Sequence, residues 1–483
     1  MALSSAFNSA LSGLTAAGRA SALVSENIAN AMTPGYGRRT LNLASNAQAG
    51  PGVRVLGVQR HADPVIIANR RVADAEQGAA GALSSFHNRF ESLVGAADDP
   101  ASIGMRLAGF ESALLSAASL PDSAQRLTAA VMQAGDLARS ISEASQGVQD
   151  MRMQADRAIG AQVDRVNQAL SDIQKLNSRI TSTKSSGGDV SALMDQRQLL
   201  VDEVNQIIPV NEVARDHHQI ALYTDGGAIL LDGPAARLSF TVTNQIVPEM
   251  TLAGGALSGL QINGIPVRTA SQGSAIGGGT LSAQFAIRDE LAISAQEDLD
   301  AVARDLVERF TKPGLDPTVG ASDPGLFTDE GHAFDPGDAV GLAGRLQLNK
   351  LVDPAQDNET WRLRDGLGAA SPGPSGDSRL LQAFGAVLGE ARAQPTTRFG
   401  TGQMTASGLN SALLSRAAQG ASTADRALSF ASASLTELSQ IELAQGVDTD
   451  AELQNLMLVE QAYAANARMI QVVDDMIETL MRL

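Results

Sequence analysis

Cysteine is absent from the 483-residue chain, which removes disulfide staples, thiolate metal sites and cysteine nucleophiles together. That absence is compatible with export but identifies no compartment. Aromatic residues make up only 3% of the sequence, too few for base-stacking platforms and better suited to long helices packed side by side than to one bulky enzyme core. Lysine occurs only at Lys175, Lys184, Lys312 and Lys350, and the net charge is −17. An extended phosphate-neutralising surface is therefore not expected, and nucleic acid is a poor partner. Nowhere do about 18 apolar residues run together, and Met1 to Asn30 lacks a basic stretch followed by a sustained apolar core. Neither membrane insertion nor Sec-type secretion is expected.

The short chemical signatures are missing too: no G-x-S-x-G, G-x-G-x-x-G, Walker A or H-E-x-x-H occurs. His217-His218, read as neighbours on a strand, would point to opposite faces and share a metal badly. Asp329-Glu330 and Asp335 to Asp338 lack the alternating oxygen ligands of a calcium loop. Gly277-Gly278-Gly279 lacks the lysine of a phosphate loop and reads as a hinge. No catalytic residue, cofactor or metal site is assigned, and the chain reads as no enzyme.

What is present is a pair of helical stripes at the two ends. Leu3, Phe7, Ala10, Leu14, Ala17, Ser21, Val24 and Ile28 recur at alternating steps of four and three, which keeps them on one helical face. Leu456, Val459, Tyr463, Asn466, Ile470, Val473, Ile477 and Leu480 repeat the alternation as a coiled-coil seam. The first stripe is built largely of small residues, so its helix buries little apolar area at roughly 25 cal/mol per Å² and should be frayed alone. Asn466, the polar member of the seam, either fixes register at some cost in stability or sits at the seam edge bonded to backbone.

Between the stripes, the 44% hydrophobic content suffices for several cores, and the length fits roughly three domains of about 150 residues. Thr33-Pro34-Gly35-Tyr36-Gly37 ends the first helix, short β alternation follows at Val53, Val55 and Val58, and helix resumes at Pro64. Asp98-Asp99-Pro100 reads as the start of a helix running to about Leu120. No proline lies between Pro121 and Pro209, and the three-four spacing from Leu127 to Ile180 predicts one helix over about Ser123 to Thr183. At 1.5 Å per residue it would span roughly 90 Å, and the molecule is expected to be a rod. Val210 to about Gly279 is punctuated by Asp225-Gly226-Gly227 and Asp232-Gly233-Pro234 and reads as mainly β. Helix returns over Leu281 to Phe310, from Leu380, and from Gly408 to Ala444, before Gly446 and the final helix.

The expected fold is therefore mainly α with a β insertion, an elongated multidomain rod. Its parts are a terminal coiled-coil domain (1–60 and 446–483), a long-helix bundle with irregular loops (61–209 and 280–445) and a smaller β-rich insertion (210–279).

The segment Asn27-Ile28-Ala29-Asn30-Ala31-Met32-Thr33-Pro34-Gly35-Tyr36-Gly37-Arg38-Arg39 resembles the N-terminal signature of flagellar rod, hook and hook-associated proteins. Leu193 to Glu203, with Asp225-Gly226-Gly227 through Leu231-Asp232-Gly233, is most similar to the hook-associated protein 1 (FlgK) family. Glu460 to Arg468 resembles the shared axial-protein C-terminus. Asn244 to Gly279 carries no such match.

The resemblance implies a structural subunit at the hook–filament junction, exported by the flagellar type III apparatus and assembled outside the cell. It implies as partners further copies of the chain, hook protein, the second junction protein FlgL and an export chaperone, FlgN. Leu3, Phe7, Leu14, Val24, Ile28, Tyr36, Arg38 and the eight residues of the C-terminal seam are the expected assembly interface. Leu456, Val459, Tyr463, Ile470 and Val473 are the expected chaperone contacts. Tyr36, with Arg38 and Arg39, either anchors its loop on a neighbouring subunit or covers its own domain. In this reading the terminal helices are disordered in the monomer and fold on their neighbours. Ile470→Ala should then spare the monomer and cripple assembly. The alternatives are another axial protein, such as a FlgL-like protein, hook protein or flagellin, or an exported enzyme or adhesin on axial termini.

Overall fold

The computed structural model describes residues 2–45, 52–96, 98–270, 273–320, 322–394 and 396–482. The chain opens with α1 (Ala2–Ala29) and an antiparallel hairpin, β1 (Arg38–Ser45) and β2 (Val53–His61), whose register shifts between Asn42 and Leu43. Asp63 then starts α2 (Pro64–Val94): its carboxylate accepts from the Val65 and Ile66 amides, with Pro64 where no amide hydrogen is needed. The following helix, α3 (Ile103–Ser119), is capped by Ser102, whose hydroxyl accepts from Met105 N at 3.2 Å. The expected start at Asp98-Asp99-Pro100 is instead a turn in which Asp99 accepts from Ala101 N. A serine that satisfies an amide of the first turn outweighs acidic residues that only face the helix dipole.

One helix of 62 residues, α4 (Ala124–Ser185), follows, capped by Ser123, and then α5 (Ser191–Ile207). Six short strands come next. β3 (Val210–Ala214), β4 (Ile220–Thr224) and β5 (Ile229–Leu231) form one antiparallel sheet. A second is built of β6 (Leu238–Ser239), β7 (Gln261–Ile262) and β8 (Ile265–Pro266). The chain returns through α6 (Gly279–Ala286), a π-helical turn over Ile287–Leu291 and α7 (Ala292–Phe310).

An irregular stretch follows, with β9 (Phe327–Asp329), α8 (Leu342–Arg345), β10 (Leu346–Leu348), α9 (Arg362–Asp365), α10 (Arg379–Gly389), β11 (Arg392–Ala393) and β12 (Gln403–Met404). The long α11 (Ala406–Ala444) and α12 (Thr449–Met481) complete the chain. The fold is mainly α with small antiparallel sheets.

Two apolar clusters share α4. Its first half, Leu127 to Ala155, packs with α3, α7, α10 and α11 around Phe110, Phe310, Phe327 and Phe384, with ring centroids 5.2–5.9 Å apart. Its second half, Ile159 to Ile173, packs with α5, α6 and the strands through Leu222, Leu231, Leu260 and Phe285. The boundary at 209/210 drawn from turn signals thus falls inside one continuous cluster, because two- to five-residue strands cannot bury a core without the helices beneath them.

A charged layer lies where α4 passes between the clusters. Arg288, fully buried at the π turn, donates from Nη1 to Asp156 Oδ1 at 2.7 Å, and Asp156 Oδ2 accepts from Thr243 N at 2.6 Å. Burial pulls the Arg288 guanidinium down, but Asp289 and Asp156 more than reverse this. Arg152 donates to Arg288 O, Val247 O and Met250 O, tying the irregular 247–250 segment to α4. The Gly277-Gly278-Gly279 run is a packed turn, not a hinge. A Cβ on Gly279, at φ +67°, would lie 2.5 Å from Ile207 O.

Candidate assembly interface

The two terminal stripes meet each other within one chain. α1 and α12 run antiparallel, with Gly13 against Asn466 and with Ala20 and Val24 beside Val459 and Asn455. The small residues of α1 permit the close approach: a Cβ on Gly13 would lie 2.7 Å from Asn466 Oδ1. In the structure the two terminal helices form a pair in which each supplies apolar cover to the other.

That cover is partial. On α1, Ala10, Ala16, Ala17 and Val24 are buried, Leu3, Leu14 and Ile28 are half-buried, and Phe7 and Leu11 are exposed. On α12, Val473 is 2% exposed and Leu456, Val459, Asn466 and Ile470 are half-buried, whereas Tyr463, Ile477 and Leu480 are open. Asn466 Nδ2 donates to Ala462 O of its own helix at 2.8 Å, the backbone-bonded arrangement of an edge residue. Of the five expected chaperone contacts only Tyr463 is exposed, and Val473 is sealed by the chain itself. Ile470, half-buried in the pair, no longer separates monomer stability from assembly.

A second apolar face of α12 remains uncovered: Met469 (50% exposed), Val472 (48%) and Met476 (45%), spaced by three and four. Sequence reading missed it because one stripe had already been assigned to the helix. The recurrence Met469, Val472, Met476, Leu480 was its available signal.

Tyr36 and Arg38 both make contacts within the chain. Tyr36 is half-buried, and its hydroxyl donates to Asn27 Oδ1 at 2.8 Å. Asn27, buried on α1, also accepts from Arg39 N at 3.0 Å and donates to Arg39 O at 2.8 Å. Burial raises the Tyr36 phenol above its ordinary value, with the Arg39 guanidinium 4.8 Å from the ring centre opposing it. Arg38 Nε donates to Glu452 Oε1 at 2.6 Å, and Glu452, in the first turn of α12, is buried. One ion pair therefore fixes the start of the last helix to the hairpin behind the first.

Beneath the hairpin a chain of ion pairs joins the terminal elements to the helical body. Asp195 on α5 accepts from Arg39 Nη2 at 2.7 Å and Arg60 Nε at 2.6 Å. One turn pair further along α5, Asp202 accepts from Arg70 and Arg71 of α2 at 2.7 and 2.6 Å, and Arg70 also reaches Glu442 of α11 at 2.8 Å. These groups are largely buried, so removing one partner leaves a charge that neighbouring water cannot restore. His217 and His218, expected on a strand, occupy the turn between β3 and β4, both at left-handed φ (58° and 61°).

Residues 75–313 match the family model described as flagellar hook-associated protein FlgK helical domain, and residues 444–483 match that described as flagellar basal body rod FlgEFG protein C-terminal. Proteins named flagellar hook-associated protein 1 from Escherichia coli and Salmonella typhimurium are 28% and 30% identical over 258 residues. Those alignments cover 52% of this chain and 47% and 46% of the relatives, so the chain spans about half the length of these curated relatives. The protein of that name from Bacillus subtilis is 23% identical over 502 aligned positions, covering 96% of this chain and 95% of its own. The solved structure of the flagellar hook junction protein FlgK from Burkholderia pseudomallei matches 54% of this chain and 46% of its own at 18% identity, with a TM-score of 0.44. With a family model over the helical body, a second over the last helix and relatives aligned along the sequence, the chain belongs to the flagellar hook-associated protein 1 (FlgK) family.

Proposed function

We propose that this chain is a structural subunit of the bacterial flagellum at the hook–filament junction, exported by the flagellar type III apparatus and assembled through its terminal helices. The observation that carries the reading is the α1–α12 pair: each helix covers one face of the other, and apolar side chains remain open at Phe7, Leu11, Met469, Val472 and Met476. An uncovered apolar strip on an already paired helix is suited to packing against another subunit. Head-to-tail contacts of this kind propagate along a helical lattice.

The partners in this reading are further copies of the chain, hook protein and FlgL. A FlgN-like chaperone is proposed to cover the open face of α12 before export. To bury Val473 as well, it must first part α12 from α1. Catalysis has no part in the proposal.

The test is a deletion strain of the native bacterium, complemented with the tagged chain. The tag is expected between hook and filament by immuno-electron microscopy, with filaments restored. A tag confined to the cytoplasm, or distributed along the filament, would contradict the assignment.

A further inference from the structure

A pocket of about 620 Å³ opens between the last turn of α4, the first turns of α5 and the β3–β4 turn. Its lining is lopsided in charge: Lys184, Arg197 and Arg215 face Glu212 alone, with the side chains of His217 and His218 beside them. Two of these are already answered, since Arg215 holds Asp232 at 2.9 Å and Glu212 is held by Arg71 at 2.8 Å. Lys184 and Arg197 have no ion-pair partner among the described residues.

Arg197 is only 8% exposed. Its Nη1 donates to Asn177 Oδ1 at 2.9 Å and to His218 O at 2.7 Å, while Nε and Nη2 have no hydrogen-bond partner among the described residues. Both acceptors are neutral, so they orient the guanidinium without compensating its charge. Burial holds Arg197 below its ordinary value, and the nearby Glu212 carboxylate only partly offsets this.

Of the carbonyls at the end of α4, which would repel an anion, three are turned to backbone partners: those of Ser182, Thr183 and Lys184 accept from the amides of Ser186, Gly188 and Gly187. The left-handed turn at His217 and His218 directs the His218 carbonyl onto Arg197, fixing the plane of its fork.

We propose that this pocket binds a small oxyanion, the free edge of Arg197 gripping two oxygens and Lys184 closing over it as a mobile second cation. The ligand chemistry is a phosphate or a carboxylate. It can come from dissolved inorganic phosphate or from an acidic side chain of another protein. The proposal is independent of the flagellar assignment.

The experiment is a calorimetric and thermal-shift titration of the full chain with sodium phosphate and, separately, sodium acetate, each against sodium chloride at matched ionic strength. Saturable binding beyond the chloride control is expected, at least threefold weaker in Lys184→Ala and lost in Arg197→Gln. Lys175→Ala, which removes an exposed lysine paired with Asp172, should match the wild type. A response to phosphate alone supports a free-ion site, and a response to acetate as well supports capture of a carboxylate side chain. Should Arg197→Gln fail to fold, Lys184→Ala decides, because Lys184 is exposed. No response beyond chloride, or an equal response in the wild type and Lys184→Ala, overturns the site.

Discussion

Asp300 on α7 is buried among donors that favour its charged form: Gly341 N and Ala343 N at 2.8 Å and Gln296 Nε2 at 2.9 Å. Burial nevertheless prevails, and the carboxyl is pushed up to about 6. The folded state therefore holds this proton more tightly than the unfolded chain does, where it titrates near the ordinary 3.8. The stabilisation this supplies is fully present below about pH 4 and is lost as pH rises through about 6. The stability of the wild type relative to Asp300→Asn should fall by up to about 3 kcal/mol across that window, as measured by urea unfolding. A difference independent of pH would contradict the assignment. Asn27 is a second residue-scale test. It makes three hydrogen bonds to Tyr36 and Arg39, and Asn27→Ala should ease local opening by about 2 kcal/mol, accelerating exchange of the Arg39 amide roughly thirtyfold.

Among the elements, helices with many turns were legible from sequence because each additional turn repeats the same spacing. α4 spans Ala124–Ser185 against an expected Ser123 to Thr183. The start of α3 was misplaced because it rests on one serine hydroxyl, a signal no stronger in sequence than two aspartates and a proline. The charged layer at the π turn was not legible at all, since Asp156 and Arg288 are 132 residues apart and neither breaks its helical pattern. Removing one partner of this fully buried pair should be severe. Asp156→Ala leaves Thr243 N and part of Arg288 unanswered and should cost about 3–5 kcal/mol in thermal or urea unfolding. On α12, two adjacent valines should behave differently. Val473→Ala, within the α1–α12 contact, should destabilise the pair by about 2 kcal/mol, whereas Val472→Ala, on the open face, should stay within about 0.5 kcal/mol. Hydrogen exchange across α1 reads both.

For the whole molecule, periodicity located the terminal helices but not what covers them. A stripe on a helix states that cover is needed, and the same residues suit a partner in the chain or in the next subunit. The structure assigns much of the expected seam, Val24 and Val473 above all, to contacts inside the chain. Tyr36 and Arg38, for which the sequence leaves anchoring on a neighbour and covering their own domain both open, tie the first helix and the hairpin to each other and to α12, because Asn27 and the buried Glu452 lie within their reach. What stays open, and is proposed for assembly, is the Met469, Val472 and Met476 face, the seam's own Tyr463, Ile477 and Leu480, and Phe7 and Leu11 of α1. The most direct test is the double substitution Met469→Glu, Val472→Glu in the native bacterium. Both side chains are open in the monomer, so its melting point should stay within about 2 °C of wild type. Filaments should be lost from the hooks, and purified variant added to cells lacking the chain should fail to restore them where purified wild type does, which takes export and its chaperone out of the comparison. Normal filaments carrying the double variant would contradict assembly through this face.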